Sequence, residues 1–346
     1  MVDYREDIEY SKKVEKRKES TLSFICPKKH YVRKEGWLTI ARNRKEVVSS
    51  RVETQGYIRY FSLCGKEAID VLLFEREGII RANARGYPDV CYCDFVEDNP
   101  LEFAKLKETL GKTKGFNMRF EELVYDGSFQ KLVQNEPFDV VNLDFCGSCF
   151  PKHDAPDSKT LRAIECVLKL QSAVSFNLFI TFRAQRSSEN SGAIKELRDV
   201  MEKNLSQFSD FKSVYEEKIG FPLNILCEND YPSFLLHTFP KILLGFGNNY
   251  NLGGECIRRF YYKRKEGEYK IVKFIFSFEP RRENNRFSDR SRKTVQLANA
   301  YHKSIINCLK NSPINVDDVL TNKPSLRAKL NNDQEDLIKN RGKFKI

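Results

Sequence analysis

The chain has 346 residues, 40% of them hydrophobic and 31% charged, with a formal net charge of +11. That composition suits a globular protein and excludes a disordered one, and the length leaves room for a domain of roughly 200–250 residues with appendages. No apolar run reaches the ~18 residues a membrane span needs. The charged start Met1–Lys18 has no apolar segment of the signal-peptide kind, so the expectation is a cytoplasmic protein without membrane contact.

Ten cysteines are present, mostly in apolar surroundings such as Cys166 and Cys227. Without an export signal, reduced and buried thiols are the expectation. Cys91-x-Cys93 and Cys146-x-x-Cys149 have zinc-like spacing, but neither pair has a histidine at partner spacing, and no metal is expected. Charge is uneven. Residues 1–50 carry about 13 basic and 8 acidic groups and residues 281–346 about 15 and 7, while 51–280 is close to neutral. Basic ends suit a polyanionic partner, RNA or DNA, bound through its phosphates. Arg286, Arg290, Arg292 and Lys293 are the candidate contacts; a solvated tail is the other reading.

In chain order, residues 1–50 read as a basic N-terminal extension, with a β-like run at Trp37–Ile40. Tyr57–Leu63 reads as a strand, followed by Cys64-Gly65 and a helix within Lys66–Arg76. Asp89–Asp94 reads as a second strand ending on an acid, Pro100–Leu110 as a helix, and Phe116–Tyr125 as a third strand closing at Asp126-Gly127. Phe138–Asp144 is a fourth strand, Ser158–Leu170 a helix, Ser175–Thr181 a fifth strand, and Gly192–Leu205 a helix. Cys256–Arg264 and Tyr269–Phe278 pair as an antiparallel hairpin. Residues 281–346 form a basic extension, with a helix over Thr294–Lys310. Alternating strands and helices predict an α/β, Rossmann-like, mostly parallel sheet with a C-terminal antiparallel hairpin. Ligands of such sheets lie at the carboxyl ends of the strands. Here those ends carry Ser62 to Gly65, Asp94, Asp126 and Asp144 to Ser148.

The run Phe138–Ser148 resembles motif IV of class I S-adenosylmethionine-dependent methyltransferases. Its nearest flavour is the Asp-Pro-Phe-Gly-Ser stretch of the tRNA guanine-26 dimethyltransferases. Asp144, Gly147 and Ser148 match that stretch; Phe145 stands for its proline and Cys146 for its aromatic. The resemblance covers roughly residues 56–280. It implies a methyltransferase-like domain over 51–280, with S-adenosylmethionine held by Ser62, Cys64 and Gly65 of a first loop that has one glycine. It further implies Asp94 on the ribose and Asp126 near the adenine. Asp144, placed at a loop mouth rather than in the core, would accept from a base amino group, with Phe145 packed beside the base. Cys146 as a nucleophile on a pyrimidine is a variant. The second function class is a catalytically inactive methyltransferase-fold module that binds nucleic acid or a protein partner, in a defence or mobile-element setting.

Overall fold

The computed structural model describes residues 26–50, 56–63, 67–81, 93–96, 99–110, 115–145, 147–152, 158–263, 269–281 and 290–340, with backbone alone for 93–96, 109, 188 and 290–297. Eight strands form one sheet: β1 (Tyr60–Ser62), β2 (Cys93–Val96), β3 (Gly115–Phe116), β4 (Val140–Asp144), β5 (Phe176–Ala184), β6 (Leu252–Lys263), β7 (Lys270–Pro280) and β8 (Ile314–Asn315). Their order is β3-β2-β1-β4-β5-β7-β6-β8. The pairs β1–β2, β1–β4, β2–β3, β4–β5 and β6–β8 are parallel. β7 runs antiparallel to both neighbours, β5 and β6. This is the expected Rossmann-like α/β fold with its antiparallel hairpin. The chain moves outward from β1 to β3 and then returns to place β4 on the other side of β1, so a topological switch point lies between β1 and β4.

Side chains alternate across a strand, and the two faces are closed differently. Phe61, Val141, Leu143, Leu178, Ile180, Phe182, Phe274 and Phe276 point into one cluster. Helices α1 (Phe120–Tyr125), α2 (Ser128–Asn135), α3 (Lys159–Leu170), α4 (Ser191–Gln207) and α5 (Tyr231–Asn249) contribute its other wall. Tyr60, Val140, Phe179, Phe260 and Ile275 point the other way. That second face is covered by Ile69–Arg76 and by both ends of the described chain, Pro27–Val48 and Val316–Asn340.

Several boundaries differ from the sequence reading. Trp37–Ile40 is helical: a π-helical turn spans Val32–Leu38 and an α-helix follows over Thr39–Val48. The wider π turn (i→i+5 bonding) sets Val32 and Trp37 on one buried face, and Trp37 stacks on Phe179 at 5.6 Å. Tertiary burial overrides the local β preference of Trp-Leu-Thr-Ile. A Cβ on Gly36 would lie 3.0 Å from Ile275 Cδ1 and 3.1 Å from Phe260 Cε2, so glycine permits this close approach to the sheet. The third strand is only Gly115–Phe116; residues 120–125 are helical, started by Glu122, whose carboxylate accepts from Arg119 N at 3.2 Å. β2 continues past Asp94 to Val96, so Asp94 does not end it. Pro240 lies inside α5.

The ends of the described chain also meet each other. Cys26 N donates to Gln334 Oε1 at 3.1 Å, and Lys28 pairs with Asp317. Asp333 receives His30 at 2.7 Å, Lys34 at 3.0 Å and Arg76 at 3.0 Å. Residues 26–48 and 316–340 thus form one layer over the sheet.

Candidate functional site

The alternation that builds the second face also draws a polar strip across it. Ser62 of β1 is in register with Asn142 of β4, Asp144 of β4 with Thr181 of β5, and Thr181 with Lys273 of β7. The strip lies beside the switch point, where a ligand of this sheet type would sit.

At its β1 end the strip is a buried hydrogen-bonded group, in which Asn142 Oδ1 is left without a partner among the described residues. A single oxygen, Oδ2 of Asp70, accepts from Tyr60 OH at 2.7 Å, Ser62 Oγ at 2.7 Å and Asn142 Nδ2 at 3.0 Å. All four side chains are buried. The Ser62 hydroxyl, read from sequence as a cofactor contact, is engaged in this buried network with Asp70 and Asn142. Asp70 was missed. Its signal was an acid inside the apolar run Ile69–Phe74, a setting in which a carboxylate needs hydrogen-bond partners.

At the β4 end Asp144 is clamped. Its Oδ2 lies 2.6 Å from Lys29 Nζ and its Oδ1 3.6 Å from Lys273 Nζ, and its side chain is 7% exposed. Asp144 does end β4 at the start of a loop, half-buried as a residue, but its side chain turns inward against Lys29 and Lys273, which corrects its placement away from the core. Burial alone would raise its carboxyl, but the ammonium groups of Lys273 and Lys29 and the guanidinium of Arg33 outweigh it and hold the group well below the usual carboxylate range. Lys273 is fully buried. It donates to Thr181 Oγ1 at 3.1 Å and stands over the Trp37 ring at 4.5 Å. Burial pulls its ammonium down to about 7, against the opposing pull of Asp144. A carboxylate held by two ammonium groups is not presented to an incoming amine.

Phe145 turns to the opposite face. It is half-buried and packs on Phe120 at 5.7 Å. Asp126 caps a turn: its carboxylate accepts from Ser128 N at 2.7 Å and Ser128 Oγ at 3.1 Å, and Gly127 takes φ +81° to complete the turn. Cys64, Gly65, Cys146 and Arg286 lie outside the described residues, as do the side chains of Asp94, Arg290, Arg292 and Lys293.

A second group, of which sequence reasoning named Ser148 but not Glu189, sits on the aromatic face, where the loops after β4 and β5 meet. Ser148 Oγ donates to Glu189 Oε2 and accepts from Phe150 N at 2.8 Å. Pro151 and Glu189 pair as an isolated bridge. Glu189 is buried, and burial raises its carboxyl to about 7 despite the Ser148 bond. Its Oε1 and the buried hydroxyl of Tyr231 have no hydrogen-bond partner. Burial also raises the Cys149 thiol, which makes it inert. Nothing in the local sequence marks Glu189; the contact depends on two loops about forty residues apart.

Among the described residues, no group of three His, Cys, Asp or Glu side chains is placed to hold a metal ion, and no helix is long and apolar enough to cross a membrane. No curated protein matches the chain. Residues 102–344 match the PP_RS20740-like family, a span that runs from the helix after β2 through β8 and includes Asp144, Glu189 and Lys273. With well over half of its length matched, the chain belongs to the PP_RS20740-like family.

Proposed function

We propose that this chain is a methyltransferase-like module that binds a polyanion, nucleic acid being the class its charge fits, and that does not use Asp144 to receive a methyl-acceptor amine. The observation that carries this reading is the clamp of Asp144 between Lys29 and Lys273. The strand order and the acid ending β4 support descent from the methyltransferase-like sheet. Two residues that the resemblance assigns to S-adenosylmethionine are engaged elsewhere, Ser62 with Asp70 and Asp126 with Ser128, which supports a reading without methyl transfer. The net charge of +11 supports the polyanion.

The test has two parts. Fluorescence anisotropy with RNA and DNA should show affinity falling steeply with salt. Neutralising Arg286, Arg290, Arg292 and Lys293 together should flatten the log–log salt slope by about 2–4 units, if each cation meets one phosphate. In parallel, transfer of labelled methyl from S-adenosylmethionine to the same nucleic acids should be undetectable. Methyl transfer that Asp144→Asn abolishes would overturn the reading, and so would nucleic-acid binding indifferent to salt.

One observation favours a second reading, methyl transfer from S-adenosylmethionine to a base amino group. Asp144 still ends β4 beside the switch point, on the same face as Ser62. That reading requires Lys29 to leave the carboxylate. It expects Lys29→Ala to raise methyl transfer, not to leave it at zero.

A further inference from the structure

The clamp around Asp144 contains more positive charge than Asp144 can neutralise. Lys29, Arg33 and Lys273 all act on this one carboxylate. Arg33 is 6% exposed, and its Nε and Nη1 are buried without a hydrogen-bond partner. A guanidinium is always charged and brings five donors in a fixed fork matched to oxyanions. Leaving two of its nitrogens buried and unpaired is costly. Two acids of this layer are already committed: Asp333 receives Lys34, Arg76 and His30, and Asp317 pairs with Lys28.

We infer that Lys29, Arg33 and Lys273 form a binding site for a single phosphate group, with Thr181 and Trp37 as its floor. With Lys273 protonated, three cations face one carboxylate and leave two positive charges; a bound phosphate dianion balances them and, by its charge, favours the protonated lysine. Arg33 supplies the planar fork, and Lys273, fixed by Thr181 at 3.1 Å and by the Trp37 ring at 4.5 Å, supplies a pre-positioned point charge. Lys29 is 30% exposed and is the solvent-facing member, so the group enters from its side. Two sources carry this chemistry: a free phosphate or nucleotide, and the phosphorylated end of a nucleic acid. The site does not depend on the proposed function, because binding of a single phosphate at Lys29, Arg33 and Lys273 and the salt slope set by Arg286, Arg290, Arg292 and Lys293 are measured separately.

The experiment is titration of the full chain with inorganic phosphate, a nucleoside 5′-monophosphate and its nucleoside, and an oligonucleotide with and without a 5′-phosphate. Calorimetry and thermal midpoint are the readouts. Saturable binding is expected below about 10 mM phosphate, with a rise in midpoint by mass action. The monophosphate should bind at least tenfold more tightly than the nucleoside. A 5′-phosphate that strengthens oligonucleotide binding while free phosphate does not would assign the site to nucleic-acid ends; the reverse would assign it to small phosphates. Arg33→Met should weaken phosphate binding about tenfold or more. Since Arg33 is buried and its loss can perturb folding, Lys29→Met is the second variant. It should weaken binding several-fold with the far-ultraviolet circular dichroism of the wild type retained. Phosphate affinity equal in the wild type and in folded Lys29→Met and Arg33→Met, or no saturation by any phosphate, overturns the inference.

Discussion

The two faces of the sheet are closed by different chemistry. On one, Phe182 touches Phe150, Phe239 and Phe274 with ring centroids 4.9–5.9 Å apart, and stability there comes from burial and dispersion. On the other, the helical layer from the chain's ends meets the sheet through Trp37 and through charges: Asp144 with Lys29 and Lys273, and Asp333 with Lys34 and Arg76. Buried charge is a poor source of net stability compared with apolar packing. Buried charge occurs on both faces, as Glu189 and Arg259 show for the aromatic one, but among the described residues only the second face gathers its ion pairs into a row across β4, β5 and β7.

Four measurements sharpen or break this contrast. The largest effect should come from Phe182→Ala, which opens the aromatic cluster at its most connected ring. Denaturant unfolding should show a loss of about 3–5 kcal/mol, unchanged by salt. A loss that varies with salt would show that the aromatic face also leans on electrostatics.

Asp144→Ala leaves Lys29, Arg33 and Lys273 without their shared carboxylate. The expected cost is about 3 kcal/mol, at the lower end for a broken buried pair because Lys273 titrates at about 7 and can lose its proton. The loss should shrink as pH rises through that value. A cost that is the same at pH 6 and pH 9 would mean that Lys273 keeps its charge throughout.

Glu189→Gln probes a raised acid on the aromatic side. Its carboxyl stands at about 7 when folded against an ordinary value of 4.5. The native state therefore holds the proton more tightly, so the stabilising contribution is fully present below pH 4.5 and is lost as pH rises through about 7. Glutamine should remove that slope and leave the variant more stable at pH 8, on the order of 1–3 kcal/mol. An unaltered stability–pH curve between pH 4 and 8 would assign the slope to other groups. The smallest effect should be Ser158→Ala. Ser158 caps α3 by accepting from Leu161 N at 3.2 Å and donates to Cys149 O at 3.1 Å. The expected loss is about 1 kcal/mol in the thermal midpoint analysis; no loss would mean that water substitutes for the cap.

The alternation of strands and helices was legible because hydrophobic periodicity is local. Ser158–Leu170, Gly192–Leu205 and the Cys256–Phe278 hairpin fall within a few residues of α3, α4 and β6–β7. The carboxyl-end position of Asp144 was legible for the same reason. Its surroundings were not. Lys273 could have been noticed as a lone cation between Ile271 and Ile275, on the face of β7 opposite Val272 and Phe274. A strand pattern states that such a lysine is buried, but not which carboxylate it meets. That partner is set by the register of β4, β5 and β7, which brings Asp144, Thr181 and Lys273 into one row.

The covering layer shows the same division more sharply. From sequence, residues 1–50 and 281–346 were extensions, because their charge and irregular pattern gave no face to bury. Gln334 and Cys26 are 308 positions apart, and of these ends the described residues 26–48 and 316–340 fold onto each other and onto the sheet. Sequence by itself determined the alternation of the central strands and helices and where the acid of the fourth strand stands, but not the helices at Val32–Leu38, Thr39–Val48 and Phe120–Tyr125. Only the tertiary structure decided that two lysines and an arginine surround that acid, because charge pairing depends on distance in space and leaves no period in the sequence.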